Sequence, residues 1–400
     1  MIGNRPHLTY RRNLLSIEGV SADALAKRFG TPLYVYSTSR VQENATRLLR
    51  TLQRADKRIG VAYSFKANAN PALLPIIRKA GLEADCASVV ELAAAARAGF
   101  HELVYTGVFA SGEEILRAAR NADIMVLDDE SRLLHVPKSF KGVLSFRVNP
   151  GTGNGHHPGV VTGGDTKFGI PRRNIVSAYR AAVATGRKRF GLHMMIGSGV
   201  LEWREFIDRT KLALDIAREV QLVTGITMEV VDIGGGLGIP YRPEETPLDV
   251  NRMAKGIAGV LKRHGAAPPR LLLEPGRAVV ADAGLILSRV TAVKPHPRRF
   301  VGVDAGMHTL IRPALYNAYH EVIPVLQNRA RGFLRQTIVG PICETTDVLA
   351  EKRLLPELRE GDLVAILDAG AYGAVMASRY GNRGLPKEVL VDKGRVQRVS

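Results

Sequence analysis

Short apolar segments rich in β-branched residues alternate with longer segments of helical periodicity over more than half of the chain. This alternation predicts strands separated by helices, and therefore a parallel sheet. The predicted strands span residues 61–65, 82–86, 103–106, 124–127, 143–148, 190–196, 229–233 and 271–273. Helical patterns separate most of them, for example at residues 39–56, 89–98, 112–120, 173–184, 202–223 and 249–264.

Eight such units predict a (β/α)₈ barrel, with a doubly wound open sheet as the alternative. Polar or glycine-rich motifs follow one predicted strand after another. Because the active sites of such barrels gather at the carboxyl ends of the strands, this recurrence favours the barrel. The motifs are Lys66-Ala-Asn, Asp85-Cys-Ala-Ser, Arg147-Val-Asn-Pro, His193-Met-Met-Ile-Gly-Ser, Gly234-Gly-Gly-Leu-Gly and Glu274-Pro-Gly-Arg.

The pattern changes after about residue 280, where strands follow one another with few helices between them. These strands, predicted at residues 285–294, 300–304, 336–339, 363–367 and 389–396, indicate a separate β-domain. We therefore expect an N-terminal segment at residues 1–36 that joins the β-domain, a barrel at 37–280 and a C-terminal β-domain at 281–400.

Composition is typical of a soluble globular protein, with 46% apolar and 24% charged residues. No apolar run reaches the roughly 18 residues of a membrane helix, and the first residues lack the apolar core of a signal peptide. The two cysteines, Cys86 and Cys343, imply no disulfide framework, and no Cys/His spacing suits zinc. We expect a cytoplasmic protein without a metal site.

The formal net charge of +18 favours anionic partners. Lys and Arg are scattered through helical segments, without a long basic tract or interleaved aromatic residues, so a solvated basic surface is a better interpretation than nucleic-acid binding. An acidic protein partner, such as a carrier protein, stays open.

Three of these motifs can carry chemistry. A lysine at the end of an apolar strand, as at Lys66, either extends to the surface or forms a Schiff base. The glycines beginning at Gly234 either form a tight turn or let backbone amides approach an anion. In the third motif, Glu274 and Arg277 either pair with each other or bind a pyridine nitrogen and a phosphate or carboxylate.

Two further loops belong to the predicted β-domain. Cys343 stands beside Glu344 in a Gly-Pro loop, where a free cysteine is either buried filler or a reagent. Tyr372 stands between small residues near a strand end, where its hydroxyl either is satisfied in the core or meets a phosphate or substrate.

Read in order, these motifs resemble the fold-type III pyridoxal-phosphate (PLP) decarboxylases, the group of diaminopimelate, ornithine and arginine decarboxylases. The resemblance extends from about residue 31 to residue 396. It implies a PLP-binding barrel followed by a β-domain, pyridoxal 5'-phosphate as cofactor, and a homodimer whose active site is shared across the interface. The matching motifs are Tyr63-Ser-Phe-Lys-Ala-Asn, Gly234-Gly-Gly-Leu-Gly, Glu274-Pro-Gly-Arg, Gly340-Pro-Ile-Cys-Glu and Asp368-Ala-Gly-Ala-Tyr-Gly.

The resemblance also implies roles for single residues. Lys66 is similar to the Schiff-base lysine, Glu274 to the partner of the pyridine nitrogen, and Tyr372 to a tyrosine that contacts both phosphate and substrate. Cys343 is similar to a cysteine supplied by the second subunit, a candidate proton donor. The implied cofactor-binding residues are Lys66, His193, Met195, Ser198, Gly234, Gly235, Gly236, Glu274, Gly276, Arg277 and Tyr372.

Within the group, similarity is greatest to the diaminopimelate decarboxylases. The segment from Arg312 to His320 is similar to one that binds the substrate carboxylate, and Glu344 falls where the distal amino group is recognised. This implies conversion of meso-diaminopimelate to lysine. The implied substrate-binding residues are Arg277, Arg312, Tyr316, Glu344 and Tyr372.

The chain departs from the family pattern at position 195 and in the following segment Gly199-Val-Leu-Glu-Trp. The usual motif is His-x-His-Ile-Gly-Ser, with the second histidine stacked on the cofactor, whereas Met195 stands there in this chain. Residues two apart on a strand face the same side, so His193 and Met195 are both expected to point inward. A specialised decarboxylase acting on another or a carrier-bound amino acid is therefore the alternative. A racemase or a non-catalytic PLP-binding protein is more remote.

Overall fold

The computed structural model describes residues 2, 5–264, 269–295, 297–328 and 330–400. The chain divides into two compact units, one formed by residues 44–239 and 246–278 and the other by residues 1–43, 240–245 and 279–400. In the described part of the chain, no helix is both long and apolar enough to cross a membrane.

The first unit contains a closed barrel. Its parallel strands pair in chain order, and Arg270–Leu273 pairs with Ile59–Ser64 to complete the ring. The predicted (β/α)₈ barrel is confirmed, and the doubly wound open sheet is wrong. The eight strands are Ile59–Ser64, Glu83–Cys86, Leu103–Tyr105, Ile124–Leu127, Val143–Asn149, Phe190–Met194, Met228–Asp232 and Arg270–Leu273. The helices are most of Thr38–Ala55, then Leu74–Lys79, Val89–Ala98, Gly112–Ala118, Arg172–Ala184, Trp203–Thr224 and Val250–Arg263.

Burial explains why these strands appear as nearly continuous apolar runs. Parallel strands covered by helices are buried on both faces, and almost every strand residue here is buried. One cluster draws side chains from six of the strands and therefore fills the barrel interior, as expected for a packed barrel rather than a pore. The cluster contains Ala62, Val104, Ile124, Val126, Val143, Val230 and Leu272.

Local signals set the helix ends. The hydroxyl of Ser88 accepts a hydrogen bond from the backbone of Glu91, and the Glu91 carboxylate accepts one from the backbone of Ala87. The first bond satisfies an amide that the first turn of Val89–Ala98 leaves unpaired, and the second ties the residue before the N-cap to that turn. Gly99 ends the helix in the left-handed conformation, which glycine adopts without steric cost.

The second unit is built on β-sheet. The long strand Gly284–Lys294 pairs with Leu33–Ser37 and Leu363–Ile366 through its first half and with Phe300–Val303 through its second. The predicted β-domain is thus confirmed, and the strand Leu33–Ser37 belongs to its sheet. The remaining strands are Leu8–Arg11, Leu14–Ile17, Val20–Ser21, Val322–Pro324, Phe333–Val339, Val348–Pro356, Lys387–Asp392 and Arg395–Arg398, and the helices are Ala22–Phe29 and Arg312–Tyr316.

Two predicted strands had wrong bounds, and one strand of the β-sheet unit was not predicted. The strand predicted at 389–396 is a hairpin of Lys387–Asp392 and Arg395–Arg398, because Lys393 and Gly394 both take positive φ and form a tight turn. The strand predicted at 190–196 ends at Met194, so Met195 lies beyond it. The strand Val348–Pro356 was missed because its charged residues hide the apolar alternation.

Candidate active site

Chemically distinctive side chains gather at the carboxyl ends of the barrel strands. Asp85, His193 and Asp232 are at or next to the last residue of their strands, and Glu274 directly follows the eighth. Lys66 lies in the short helical turn Phe65–Ala67 after the first strand. The folding of the barrel thus brings together residues that are far apart in sequence, as the sequence motifs predicted.

The amine of Lys66 is held by an acidic partner. Its Nζ donates hydrogen bonds to Asp85 Oδ2 at 2.8 Å and to Ser64 Oγ at 3.2 Å. Asp85 is fully buried and also accepts a hydrogen bond from Thr106 Oγ1 at 2.5 Å. The Lys66 side chain keeps 46% of its surface exposed, so its amine is both positioned and accessible to a small molecule.

Two carboxyl groups and an imidazole form a buried cluster. His193 Nε2 lies 3.2 Å from Glu274 Oε2, and Asp232 completes a group whose polar atoms all fall within 4.8 Å of one another. All three residues are buried. Two neighbouring carboxylates cannot both stay ionised in such a setting, so the cluster must hold a proton.

The proton belongs to Asp232. Burial and the negative charge of Glu274 raise the pKa of Asp232 well above its ordinary range. Burial alone would raise the pKa of Glu274, but the neighbouring His193 and Lys66 outweigh it, so this pKa is lowered instead. The cluster therefore presents one ionised carboxylate, Glu274, supported by a neutral Asp232, which suits binding of a protonated ring nitrogen.

The glycine motif after the seventh strand fits between two neighbouring strand ends. A Cβ atom on Gly235 would lie 2.2 Å from the carbonyl oxygen of Glu274, and one on Gly236 would lie 2.4 Å from that of Gly197. Gly234 and Gly236 also have positive φ. Only glycines permit this backbone path, and a loop without side chains lets amide groups approach an anion.

The sequence-predicted neighbours of this loop lie beside it. Arg277 Nη2 donates to Ser198 Oγ at 3.3 Å. A Cβ on Gly276 would lie 2.7 Å from that of Ala67, so this glycine allows the eighth strand end to pack against the turn that carries Lys66. Met195 is half-buried, and its Sδ would lie 2.6 Å from a Cβ on Gly234. Met195 therefore packs on the glycine loop although it lies beyond the strand.

Several polar residues of this site were absent from the predicted set. Asp85 holds Lys66, and Asp232 holds the shared proton. Arg147 is buried on the fifth strand, 3.9 Å from Asp128, and burial lowers its pKa. Each is a charged residue at or near the carboxyl end of an apolar strand, and that position was the available signal.

The remaining predicted residues lie in the β-sheet unit. Arg312 is almost fully buried, donates to His320 Nε2 at 2.7 Å and lies 4.6 Å from the ring centre of Tyr241. His320 Nδ1 in turn donates to a backbone carbonyl at 2.8 Å, which leaves Nε2 free to accept. Tyr316 and Tyr372 are both half-buried.

The Cys343 loop is at the surface of the same unit. Cys343 and Glu344 are exposed, and Glu344 accepts a hydrogen bond from Tyr380. The interpretation of Cys343 as buried filler is therefore wrong. An exposed thiol and carboxylate side by side are available to a ligand or to another subunit.

Comparison with known proteins agrees with this geometry. A family model described as the pyridoxal-binding domain of pyridoxal-dependent decarboxylases matches residues 39–281. The diaminopimelate decarboxylase of Methanothermobacter thermautotrophicus is 40% identical over 393 residues, covering 96% of this chain and 91% of that protein. The diaminopimelate decarboxylase of Archaeoglobus fulgidus is 37% identical over 394 residues, covering 96% and 93%.

Solved structures give the same result. The crystal structure of diaminopimelate decarboxylase from M. jannaschii in complex with L-lysine superposes with a TM-score of 0.93 at 32% identity, covering 100% of this chain and 95% of that one. The family model covers the barrel, and these relatives cover nearly the whole chain. The protein therefore belongs to the pyridoxal-dependent decarboxylases, carboxy-lyases that use pyridoxal phosphate.

Proposed function

We propose that this enzyme decarboxylates meso-diaminopimelate to lysine and that the barrel residues described above hold its cofactor. The observation that carries the proposal is that an accessible amine, Lys66, and an ionised carboxylate, Glu274, both lie at the carboxyl ends of the barrel strands. The names of the relatives, one of them crystallised with L-lysine, support this substrate.

The residues present fit pyridoxal phosphate. Glu274 is a buried carboxylate whose pKa is lowered, so it stays ionised and can hold a proton on a ring nitrogen. A Cβ on any of the three glycines of the loop would collide with a neighbouring atom, so the loop stays free of side chains and its amides can surround a phosphate. We assign the phosphate to Ser198, Gly234, Gly235, Gly236, Gly276 and Arg277.

The remaining barrel residues are assigned to the aldehyde and the ring of the cofactor. Lys66 would hold the aldehyde end of the cofactor, and Asp85 orients the Lys66 amine. Glu274 would keep a proton on the ring nitrogen, with His193 and Asp232 fixing the Glu274 carboxylate. Met195 would contact the ring. When bound, pyridoxal phosphate supplies the electron sink that takes up the electron pair left by the departing CO₂.

Four residues of the β-sheet unit have the chemistry that the rest of the substrate would need. Arg312 is a buried cation for a carboxylate, assisted by Tyr316, whereas Glu344 is an exposed anion for the distal amine. Arg277 and Tyr372 complete the proposed set. We assign Cys343 the proton that replaces CO₂, delivered into the site of a second copy of the chain.

Shared sites can be tested by mixing two inactive variants. Lys66→Ala and Cys343→Ser damage different halves of a shared site, so a mixed dimer keeps one intact site. We expect an equal mixture to recover about a quarter of wild-type activity after subunit exchange. Migration as a monomer at working concentration, or no recovery despite exchange, would contradict the dimer proposal.

The substrate is tested by CO₂ release from meso-diaminopimelate, lysine, ornithine and arginine. We expect turnover of meso-diaminopimelate only. Borohydride reduction followed by mass spectrometry should find the cofactor bonded to Lys66 and no adduct in Lys66→Ala. Turnover of another amino acid with no release from diaminopimelate would overturn the substrate assignment while leaving Lys66 in place.

A second candidate follows from Met195, which stands where the family usually has histidine. A specialised decarboxylase would act on another amino acid, or on one attached to an acidic carrier protein that the net charge of +18 attracts. If none of the four free amino acids releases CO₂ although the Lys66 adduct forms normally, this candidate is favoured.

A further inference from the structure

One buried arginine of the barrel unit stands behind the glycine loop. Arg209, on the helix Trp203–Thr224, has a relative exposure of 1%, which places it among the largest fully buried side chains. Its Nη1 donates to the carbonyl oxygen of Gly235 at 2.7 Å, and its guanidinium carbon lies 4.8 Å from the ring centre of Phe206. The same Nη1 would lie 3.2 Å from a Cβ on Gly236, so the guanidinium directly abuts the loop.

This guanidinium is poorly compensated. Its Nε and Nη2 are buried and have no hydrogen-bond partner among the described residues. Burial lowers the pKa of Arg209 to about 10, partly opposed by the charge of Glu205, so the group still carries its charge at neutral pH. A buried charge without a counter-ion is costly, and a fold that retains one normally has an anion to place near it.

The contact with Gly235 links the charge to the loop. The carbonyl of Gly235 and the N–H of Gly236 belong to one peptide group. A cation on the carbonyl oxygen polarises that peptide and makes the N–H at its other end a stronger donor, because hydrogen bonds in series reinforce one another. It also prevents the peptide from rotating, so the N–H keeps its direction.

We infer that Arg209 is a positioning residue for the phosphate of the cofactor, acting through the Gly235–Gly236 peptide and through its own positive charge rather than by direct contact. The inference rests on the proposed assignment of the glycine loop to the phosphate. It goes beyond that assignment by adding a cation that no motif marks, on a helix outside the barrel ring.

The test compares pyridoxal phosphate with pyridoxal, which lacks the phosphate. Both ligands are titrated by absorbance into cofactor-free protein, and inorganic phosphate is tested as a competitor. We expect Arg209→Met to weaken binding of pyridoxal phosphate by about 10- to 100-fold, in the range of a lost hydrogen bond to a charged group. Binding of pyridoxal should change less than about twofold, since the ring contacts are untouched.

Two variants separate charge from packing. Arg209→Lys keeps the charge and should recover part of the affinity, whereas Arg209→Gln keeps a donor but no charge and should bind weakly. Arg209→Gln also serves if Arg209→Met does not fold. Arg204→Met, on the same helix with a side chain that is 67% exposed, is the control and should bind like wild type.

The outcomes are distinguishable. Unchanged affinity for pyridoxal phosphate in Arg209→Met and Arg209→Gln would overturn the inference. An equal loss for both ligands would also overturn it, because that indicates a packing role. If wild type itself does not prefer pyridoxal phosphate to pyridoxal, the assignment of the glycine loop fails, and the inference falls with it.

Discussion

His193 Nε2 and Glu274 Oε2 lie 3.2 Å apart, and both side chains are almost completely buried. Asp232 lies within the same buried cluster and holds a proton because its pKa is raised. Changes at the two acids should therefore have very different effects. Glu274→Gln removes the only ionised carboxylate of the cluster, whereas Asp232→Asn replaces a neutral group by a neutral group of similar shape.

We expect Glu274→Gln to lower kcat about 100-fold or more, since the ring nitrogen loses the anion that keeps it protonated. Asp232→Asn should lower kcat less than about tenfold, since an amide oxygen can still accept the hydrogen bond from the Gly234 backbone. CO₂ release measures both, with the exposed Glu113→Gln as control. Equal losses in the two variants would show that the proton is not on Asp232.

Gly236 should tolerate no side chain. Its φ is +96° and a Cβ would collide with the backbone of Gly197, whereas Gly186 has a φ of +83° with open space around it. Gly186→Ala should therefore cost only backbone strain, about 1–2 kcal/mol of unfolding free energy. Gly236→Ala should lower the unfolding free energy by more than this and should weaken the binding of pyridoxal phosphate. Urea unfolding and cofactor titration check this, and similar behaviour of the two variants would contradict the predicted collision.

Met195 should matter to the cofactor through contact alone. Met195→Ala removes a thioether from the proposed ring site and should weaken cofactor binding about tenfold, in the range of sulfur–aromatic contacts. Met195→His restores a stacking side chain and should bind within a few-fold of wild type. Absorbance titration measures both, with the exposed Leu222→Ala as control. If Met195→Ala binds the cofactor with the affinity of wild type, the cofactor ring does not contact Met195.

His7 should make stability depend on pH. Burial lowers its pKa from 6.5 to about 4, with Asp282 raising it and Arg40 lowering it further. Between these values the unfolded chain binds a proton that the folded chain does not. Stability should therefore rise with pH across this window, by on the order of 2–3 kcal/mol for His7 alone.

In His7→Gln that contribution to the pH dependence should be absent. Urea unfolding of both proteins across the window checks it, and the exposed His101→Gln should behave like wild type. The pKa of Asp368 is raised to about 6, mainly by burial, so Asp368 makes stability fall as the pH rises. This contribution is the same in wild type and in His7→Gln and cancels in the comparison. If the unfolding free energy of His7→Gln changes as much across the window as that of wild type, His7 is not the source of the pH dependence.

Removal of metal ions should change neither the stability of the protein nor its affinity for the cofactor. His193, Asp232 and Glu274 are also a donor set that divalent cations accept. A protonated Asp232 is a poor ligand, however, and the cluster is proposed to face a ring nitrogen. We expect EDTA to leave Tm and cofactor affinity unaltered, and Zn²⁺ not to raise the Tm of the cofactor-free protein. A stabilising effect of Zn²⁺ that His193→Gln abolishes would contradict this.

The sequence by itself determined the barrel, the β-domain and the order of the chemical motifs. Strands and helices follow from local periodicity, and each motif stands at a strand end that the periodicity marks. Errors arose where a local turn overrode the pattern, as at Lys393 and Gly394, or where charges hid a strand, as in Val348–Pro356.

Only the tertiary structure decided which groups touch and which carry charge. His193 and Glu274 are 81 residues apart, and the proton on Asp232 exists because folding buries two carboxyl groups together. Asp85 beside Lys66, Met195 on the glycine loop and Arg209 behind it likewise depend on neighbours from other strands or helices. Burial and charge–charge distance set a pKa, and neither is a property of a local sequence.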